Sequence, residues 1–407
     1  MNNSVPTGWS LQPLSALAHY YNGRAFKPED WSSEGLPIIR IAQINNKNTD
    51  LDYYAGDDVS DKNRIINGDL LFSWSATLTA LIWNRGDAVL NQHIFKVEEK
   101  AGVDRKYLHQ VILNSIEPLA DYSHGSTMKH IKKGVLDEYC VGTPPLHEQQ
   151  KIATILSSVD NVIEKIRAQI DKLKDLKTGM MQELLTKGIG HTEFKDSPVG
   201  RIPAEWTVKK LDDLSEKISD GIHTTPKYVE KSEYHFINGN NLQDGQIVIG
   251  DKTKCVPESE FIKLKRDLTD NTILMSINGT IGKLAFYAGE QVVLGKSAAF
   301  ISLAKEQSKK FIFYVLQSQA TTQFYDFELT GSTIKNLSLR TIKQTPVPIP
   351  TKKEQALIVS ILSENDKKIR LKTELLNQVE ALKKALMQDL LTGKVRVNLT
   401  DKESAVV

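Results

Sequence analysis

Residues 144–152 read Pro144-Pro145-Leu146-His147-Glu148-Gln149-Gln150-Lys151-Ile152, and apolar residues then recur mostly at spacings of four and three: Ile152, Leu156, Val159, Ile163, Ile166, Ile170, Leu173, Met180, Leu184. A seam of about five heptads predicts a coiled-coil helix rather than one face of a compact domain. The prolines set its start, since proline is tolerated only before or within the first turn. Glu148 puts a carboxylate near the positive end of the helix dipole, and Gly188 and Gly190 supply the stop.

The chain repeats this stretch 206 residues later. The second copy begins at Pro350, carries Glu354-Gln355, runs through Ile358, Leu362, Ile369, Leu376, Val379, Leu386 and Leu390, and ends at Gly393. Both copies finish on nearly the same residues, Met181-Gln182-Glu183-Leu184-Leu185-Thr186 and Met387-Gln388-Asp389-Leu390-Leu391-Thr392. The segments before the helices repeat as well. Trp206 answers Trp9 at an offset of 197, Thr272–Ser276 answers Asp69–Ser73 at 203, and Gly331-Ser332-Thr333-Ile334-Lys335 answers Gly125-Ser126-Thr127-Met128-Lys129 at 206. From there to the helix ends the offset is constant. Helices that pack along their length must match in length, whereas the loops of a reading domain vary freely.

Ahead of the first helix the sequence predicts short strands: Ile38–Ile44, Leu70–Trp74, and Ala80–Trp83 joined to Ala88–Leu90 by an Arg85-Gly86-Asp87 hairpin turn. A helix from Arg105 to Glu117 stopped by Pro118, and a last strand from Val135 to Val141, complete the segment. The expected class is α+β with an internal repeat. Its divisions fall at residues 5–145, 146–188, 200–350 and 351–393, alternating globular and helical.

Composition narrows the function. The 407 residues are 40% apolar and 25% charged, as in globular proteins, and the net charge of +2 announces no nucleic-acid partner by itself. Any phosphate contact must be local, for instance around Lys129–Lys133 or Lys263–Arg266. Two cysteines, Cys140 and Cys255, leave no disulfide framework or zinc cluster and point to a reducing compartment. No apolar run approaches the roughly 18 residues of a membrane span, and Met1–Ser4 does not open a signal peptide, so the reading is a cytoplasmic protein with no membrane partner.

The order of motifs resembles the specificity subunit of type I restriction-modification enzymes. The motifs are a Trp-led start, a strand with Ile39-Arg40-Ile41, Leu90-Asn91-Gln92-His93-Ile94-Phe95-Lys96-Val97, Gly-Ser-Thr-x-Lys, and Pro-Pro-Leu-x-Glu-Gln heading a long helix, with the plan duplicated. The resemblance runs from Val5 to Val397; the second copy, Pro350-Thr351-Lys352-Lys353-Glu354-Gln355, lacks the double proline and leucine. It implies two similar target recognition domains separated by two long helices that form an antiparallel intramolecular coiled coil, with pseudo-twofold symmetry. It further implies binding of double-stranded DNA with a split target, and docking of two modification and two restriction subunits. Catalysis would then belong to those partners, together with S-adenosylmethionine, ATP and magnesium, and this chain would be a non-catalytic subunit without cofactor.

Catalytic motifs are missing from the residues themselves. There is no Asn/Asp-Pro-Pro-aromatic string for adenine methylation. His147-Glu148-Gln149-Gln150-Lys151 lacks the second histidine of a zinc motif, and Gly279-Thr280-Ile281-Gly282-Lys283-Leu284 puts leucine where a phosphate loop needs Ser or Thr. Two rival readings are a coiled-coil scaffold without DNA binding and a nuclease or methyltransferase with a disguised site.

Bases are read by paired donors and acceptors, and phosphates are held by lysine, hydroxyls and backbone amides. Candidates occupy corresponding loops of the two halves. In the first they are Gln43, Asn45, Asn46 and Lys47; Ser73 and Trp74; Asn91, Gln92 and His93; and Ser126, Thr127, Lys129 and His130. In the second they are Asn238, Asn240 and Asn241; Ser276 and Asn278; Lys296 and Ser297; and Ser332, Thr333, Lys335 and Asn336. The repeated Gly-Ser-Thr-x-Lys is the strongest, because its glycine and hydroxyls can cradle a phosphate with lysine as the counter-charge.

Overall fold

A computed structural model describes residues 5–46, 48–121, 131–329 and 336–398. The chain divides into two compact units, one taking residues up to Ala168 and from Thr373 onward, the other Gln169–Lys372. Both divisions fall inside the long helices, Leu146–Thr186 and Lys352–Leu391, so each unit holds half of each helix.

The first unit is built on an antiparallel sheet in the order Ala18–Asn22, Ile94–Glu99, Leu70–Ser73, Thr79–Ile82. Its strand Leu70–Ser73 is buried at every position, as an unbroken apolar run requires. Beside it Leu36–Ile39 runs parallel to Ala88–Leu90, and Ser10–Pro13 pairs with Cys140–Thr143 just ahead of the first long helix. The second unit repeats the plan: Ser215–Asp220, Ala298–Leu303, Thr272–Ser276 and Leu284–Phe286 form the sheet, His235–Ile237 runs parallel to Val292–Leu294, and Thr207–Lys210 pairs with Pro346–Ile349.

The long helices pair antiparallel in both units. In the first, the core joins Ile152 and Leu156 from the start of one helix to Met387, Leu390 and Leu391 from the end of the other; in the second, Met181 and Leu185 meet Ile358 and Leu362. Polar bonds cross the seam at matching places. Lys383 Nζ lies 2.6 Å from Asp160 Oδ1 and Lys177 Nζ 2.7 Å from Asp366 Oδ1, so the lysines at equivalent positions each face the other helix. Asn365, buried in the seam, donates to the Leu173 carbonyl at 3.0 Å.

Several elements differ from the sequence expectation. The strand foreseen over Ile38–Ile44 ends at Ile39, and Ile41–Asn45 is a helical turn because the Gln43 side chain caps the Arg40 N–H at 3.1 Å. Arg85–Asp87 makes no hairpin. Thr79–Ile82 pairs with Leu70–Ser73 while Ala88–Leu90 joins the other sheet, and the Trp83 indole donates to the Gly86 carbonyl at that corner. The helix from Arg105 passes through Pro118 to Asp121, and Val135–Glu138 is a helical turn followed by the strand Cys140–Thr143. No helix among the described residues is long and apolar enough to cross a membrane.

Candidate nucleic-acid interface

In each unit three loops leave the sheets side by side, and the chain that follows a fourth loop closes on them. In the first unit the Asn91 N–H donates to the Ile39 carbonyl at 3.0 Å, the Trp74 N–H to His93 at 3.4 Å, and the Ile131 N–H to Trp74 at 2.9 Å. In the second the Gly295 N–H donates to Ile237 at 2.8 Å, the Ile277 N–H to Ser297 at 3.0 Å, and the Leu337 N–H to Ile277 at 2.9 Å. These are the same three bonds at equivalent residues. Asn45 Nδ2 also reaches Thr77 Oγ1 at 3.0 Å, and Asn278 bridges to Asn336.

The structure therefore brings together loops that lie far apart in sequence, and it sorts their side chains. Asn45, Asn46 and Gln92 in the first unit, and Asn240, Lys296 and Asn336 in the second, are exposed. Trp74 and His93 are half-buried, with ring centroids 5.3 Å apart edge to face.

Others are turned inward. Gln43 is 5% exposed and spends its amide on the Arg40 N–H and the Asp50 carbonyl, and Asn241 likewise caps the Asn238 N–H at 2.9 Å and donates to Val248. Ser73 and Ser276 are fully buried, their hydroxyls donating to the carbonyls of Ser75 and Thr280, and Asn91 is 9% exposed. Asn238 accepts from the Ser297 hydroxyl, which itself takes the Gly239 N–H. These groups shape the loops. Gly279–Lys283 is a strand-end turn, with the Lys283 N–H held by Ser276. Arg266 of the second basic cluster is committed to the Gly221 carbonyl. Lys47, Ser126, Thr127, Lys129, His130, Ser332, Thr333 and Lys335 lie outside the described residues.

Sequence reasoning missed two groups beside the first unit's loops. Thr77 is exposed next to Asn45, and the Arg40 guanidinium lies 5.2 Å over the ring of Trp31 while pairing with Asp52. The strand expected through Ile44 placed Arg40 mid-strand, which hid its position just ahead of the turn Ile41–Asn45. Nearby, the Tyr54 hydroxyl and Arg24 hold the Asp58 carboxyl below the usual carboxylate range, and Arg24 stacks on Phe26 and Tyr54. Among the described residues no cluster of His, Cys, Asp or Glu is arranged to hold a metal ion.

Two copies of one α+β module, each presenting the same convergence of polar loops, define an internally duplicated recognition subunit. The sequence profile of the type I restriction modification DNA specificity domain matches residues 6–175 and again 203–381. The chain belongs to that family and carries its domain twice. It is 29% identical over 355 residues to the type I restriction enzyme MjaVIII specificity subunit of Methanocaldococcus jannaschii, covering 83% of this chain and 82% of that one. To the EcoBI specificity subunit of Escherichia coli it is 22% identical over 375 residues, 88% and 79% of the two chains. The crystal structure of a type I restriction-modification S subunit from M. genitalium shares the fold, with a TM-score of 0.56, 14% identity and 98% of both chains covered.

Proposed function

We propose that each unit reads one half of a split double-stranded DNA target through its converging loops, and that the chain itself does no chemistry. The duplicated bond set among those loops carries this reading, since it holds exposed polar side chains in corresponding loops of both units, with Lys296 where the first unit has Gln92. In this reading Asn45, Asn46 and Gln92, with Asn240, Lys296 and Asn336, face the bases. Trp74, His93 and Asn278 stand behind them, and Gln43, Ser73, Asn91, Asn238, Asn241, Ser276 and Ser297 hold the loops in shape. Lys129 and Lys335, with Ser126, Thr127, His130, Ser332 and Thr333, serve the phosphate backbone, and Lys47 joins the first loop. Two modification and two restriction subunits dock on the chain and bring S-adenosylmethionine, ATP and magnesium.

The test is DNA binding by the subunit assembled with its modification partners. Lys129→Ala with Lys335→Ala should weaken binding to all sequences and flatten the plot of log affinity against log salt by about two charges, near 0.9 in slope per phosphate contact. An unchanged slope counts against phosphate contact at the repeated loop. Loss of all sequence preference in the wild-type complex would instead favour a scaffold.

A further inference from the structure

The Glu-Gln dipeptide that heads both long helices carries one geometry twice. In the first unit Glu148 is 1% exposed, and Trp9 Nε1 donates to its Oε2 at 3.0 Å. Arg396, from the chain leaving the second long helix, donates from Nε to Oε1 at 2.7 Å and from Nη2 to Oε2 at 2.8 Å, while its Nη1 reaches the Thr7 carbonyl at 3.0 Å. In the second unit Glu354 is 9% exposed, and Trp206 Nε1 donates to its Oε2 at 3.0 Å. Its Oε1 meets His191 Nε2 and the Ile189 N–H, both at 2.9 Å, from the chain leaving the first long helix.

The neighbouring amides close the bends. Gln149 and Gln355 donate from Nε2 to the carbonyls of Pro144 at 2.9 Å and Pro350 at 3.0 Å, where strand turns into helix. The chain that delivers the partners must pass very close. Gly188 has φ +64°, and a Cβ there would lie 2.5 Å from Glu354 Oε1 and 2.7 Å from the Trp206 ring.

Each carboxylate thus joins three stretches: the Trp-led edge of a globular domain, the start of one helix, and the exit of the other. An apolar side chain would bury as well, but apolar contacts are non-directional and tolerate sliding. A buried carboxylate is costly unless its partners stay in place, and a hydrogen bond weakens steeply once its angle or length departs by a few tenths of an ångström or tens of degrees. The duplication of this arrangement therefore selects position, not adhesion.

We propose that Glu148 and Glu354 are positioning residues that fix the seat of each recognition domain on its helix pair, and so set how strictly the gap between DNA half-sites is counted. The proposal rests on the reading that each domain takes one half-site. In it the base-facing loops decide which letters are read, and the two carboxylates decide how far apart.

The test uses the full-length subunit with its modification partners in a host free of other adenine methylation, scored by single-molecule sequencing of methylated adenines. Glu148→Gln with Glu354→Gln should leave the half-site letters unchanged and raise methylation at sites one base pair too long or too short by about tenfold, the effect of losing one charge-assisted bond. Trp9→Phe with Trp206→Phe, which removes the indole donors from the carboxylates, should relax the gap in the same direction, whereas His191→Arg, which keeps a side-chain N–H donor for Glu354, should keep it strict. A uniform fall in methylation at the correct gap, or an unchanged pattern, overturns the proposal. A wild-type pattern that is not bipartite overturns the half-site reading beneath it and is seen in the control alone.

Discussion

Replacing Lys383 by methionine removes the cation that closes the helix seam in the first unit. The lysine side chain is 15% exposed and its partner Asp160 33%, with 2.6 Å between Nζ and Oδ1. Unit charges about 3 Å apart at an effective dielectric of about 20 attract by roughly 5 kcal/mol before desolvation and side-chain entropy are subtracted. Exposed pairs retain about 0–1 kcal/mol of that, and breaking a fully buried pair costs about 3–5 kcal/mol. This pair lies between, so Lys383→Met should cost about 2 kcal/mol. Gln110 Nε2, which donates to Asp160 Oδ2 at 2.8 Å, keeps the orphaned carboxylate partly satisfied and holds the cost there. A double-mutant cycle with Asp160→Asn, followed by urea unfolding of the full-length chain, should give a coupling energy of about 1.5 kcal/mol. The twin cycle, Lys177→Met with Asp366→Asn, should match it, because that pair sits at 2.7 Å with exposures of 21% and 35% and Tyr314 donates to Asp366 at 2.7 Å. Couplings below about 0.3 kcal/mol in both cycles would refute the reasoning and reduce the seam charges to surface decoration.

Further outcomes follow from the same geometry. One heptad inserted in each long helix should lengthen the gap between half-sites by about three base pairs, at about 1.5 Å per residue against 3.4 Å per base pair; methylome sequencing that returned the original gap would sink the idea of the helices as a ruler. Gln43→Ala should destabilise the first unit by about 1–2 kcal/mol through its lost cap and lose one half-site wholesale, whereas Gln92→Ala should change stability by less than about 0.5 kcal/mol and alter base preference alone. Thermal melts beside methylation profiles separate the two. Burial holds the His109 imidazole below its ordinary pKa, with its Nε2 against the Ala80 carbonyl at 3.1 Å. The unfolded chain then takes up the proton first, so stability should be steady above about pH 6.5 and fall as pH drops below it. Urea midpoints at pH 7.5 and 5.5 that do not differ more in wild type than in His109→Gln would contradict this.

The duplication and the helices were legible because their signals are periodic. A seam of Ile152, Leu156, Ile163, Ile166 and Ile170 depends on spacing alone, and all five are buried. The candidate loops were legible as positions but not as side chains. Gln43 and Asn46 look alike in sequence, yet one is inside and one outside, because a three-residue capping turn rotates Gln43 back onto the Arg40 N–H. That turn also cut short the strand expected through Ile44. Tertiary demand likewise overrode local signals at Pro118, which a helix carries through, and at Arg85–Asp87, where the flanking strands found partners in different sheets. Glu148 was legible as a helix-dipole carboxylate; its bond to Arg396 joins residues 248 apart and has no local signature.

The halving of each long helix between units imposes an order of assembly. The second unit is a single uninterrupted run, Gln169–Lys372, so during synthesis all of its partners emerge together and it can close early. The first unit cannot: its core requires Met387, Leu390 and Leu391, and the cation for Glu148 is Arg396, 248 residues downstream. Its helix therefore keeps an uncovered inner face, and Glu148 lacks its Arg396 partner, until the second domain has been made. The half translated first is the half completed last, and a stalled ribosome would leave that half, rather than the later one, exposed to proteases and chaperones.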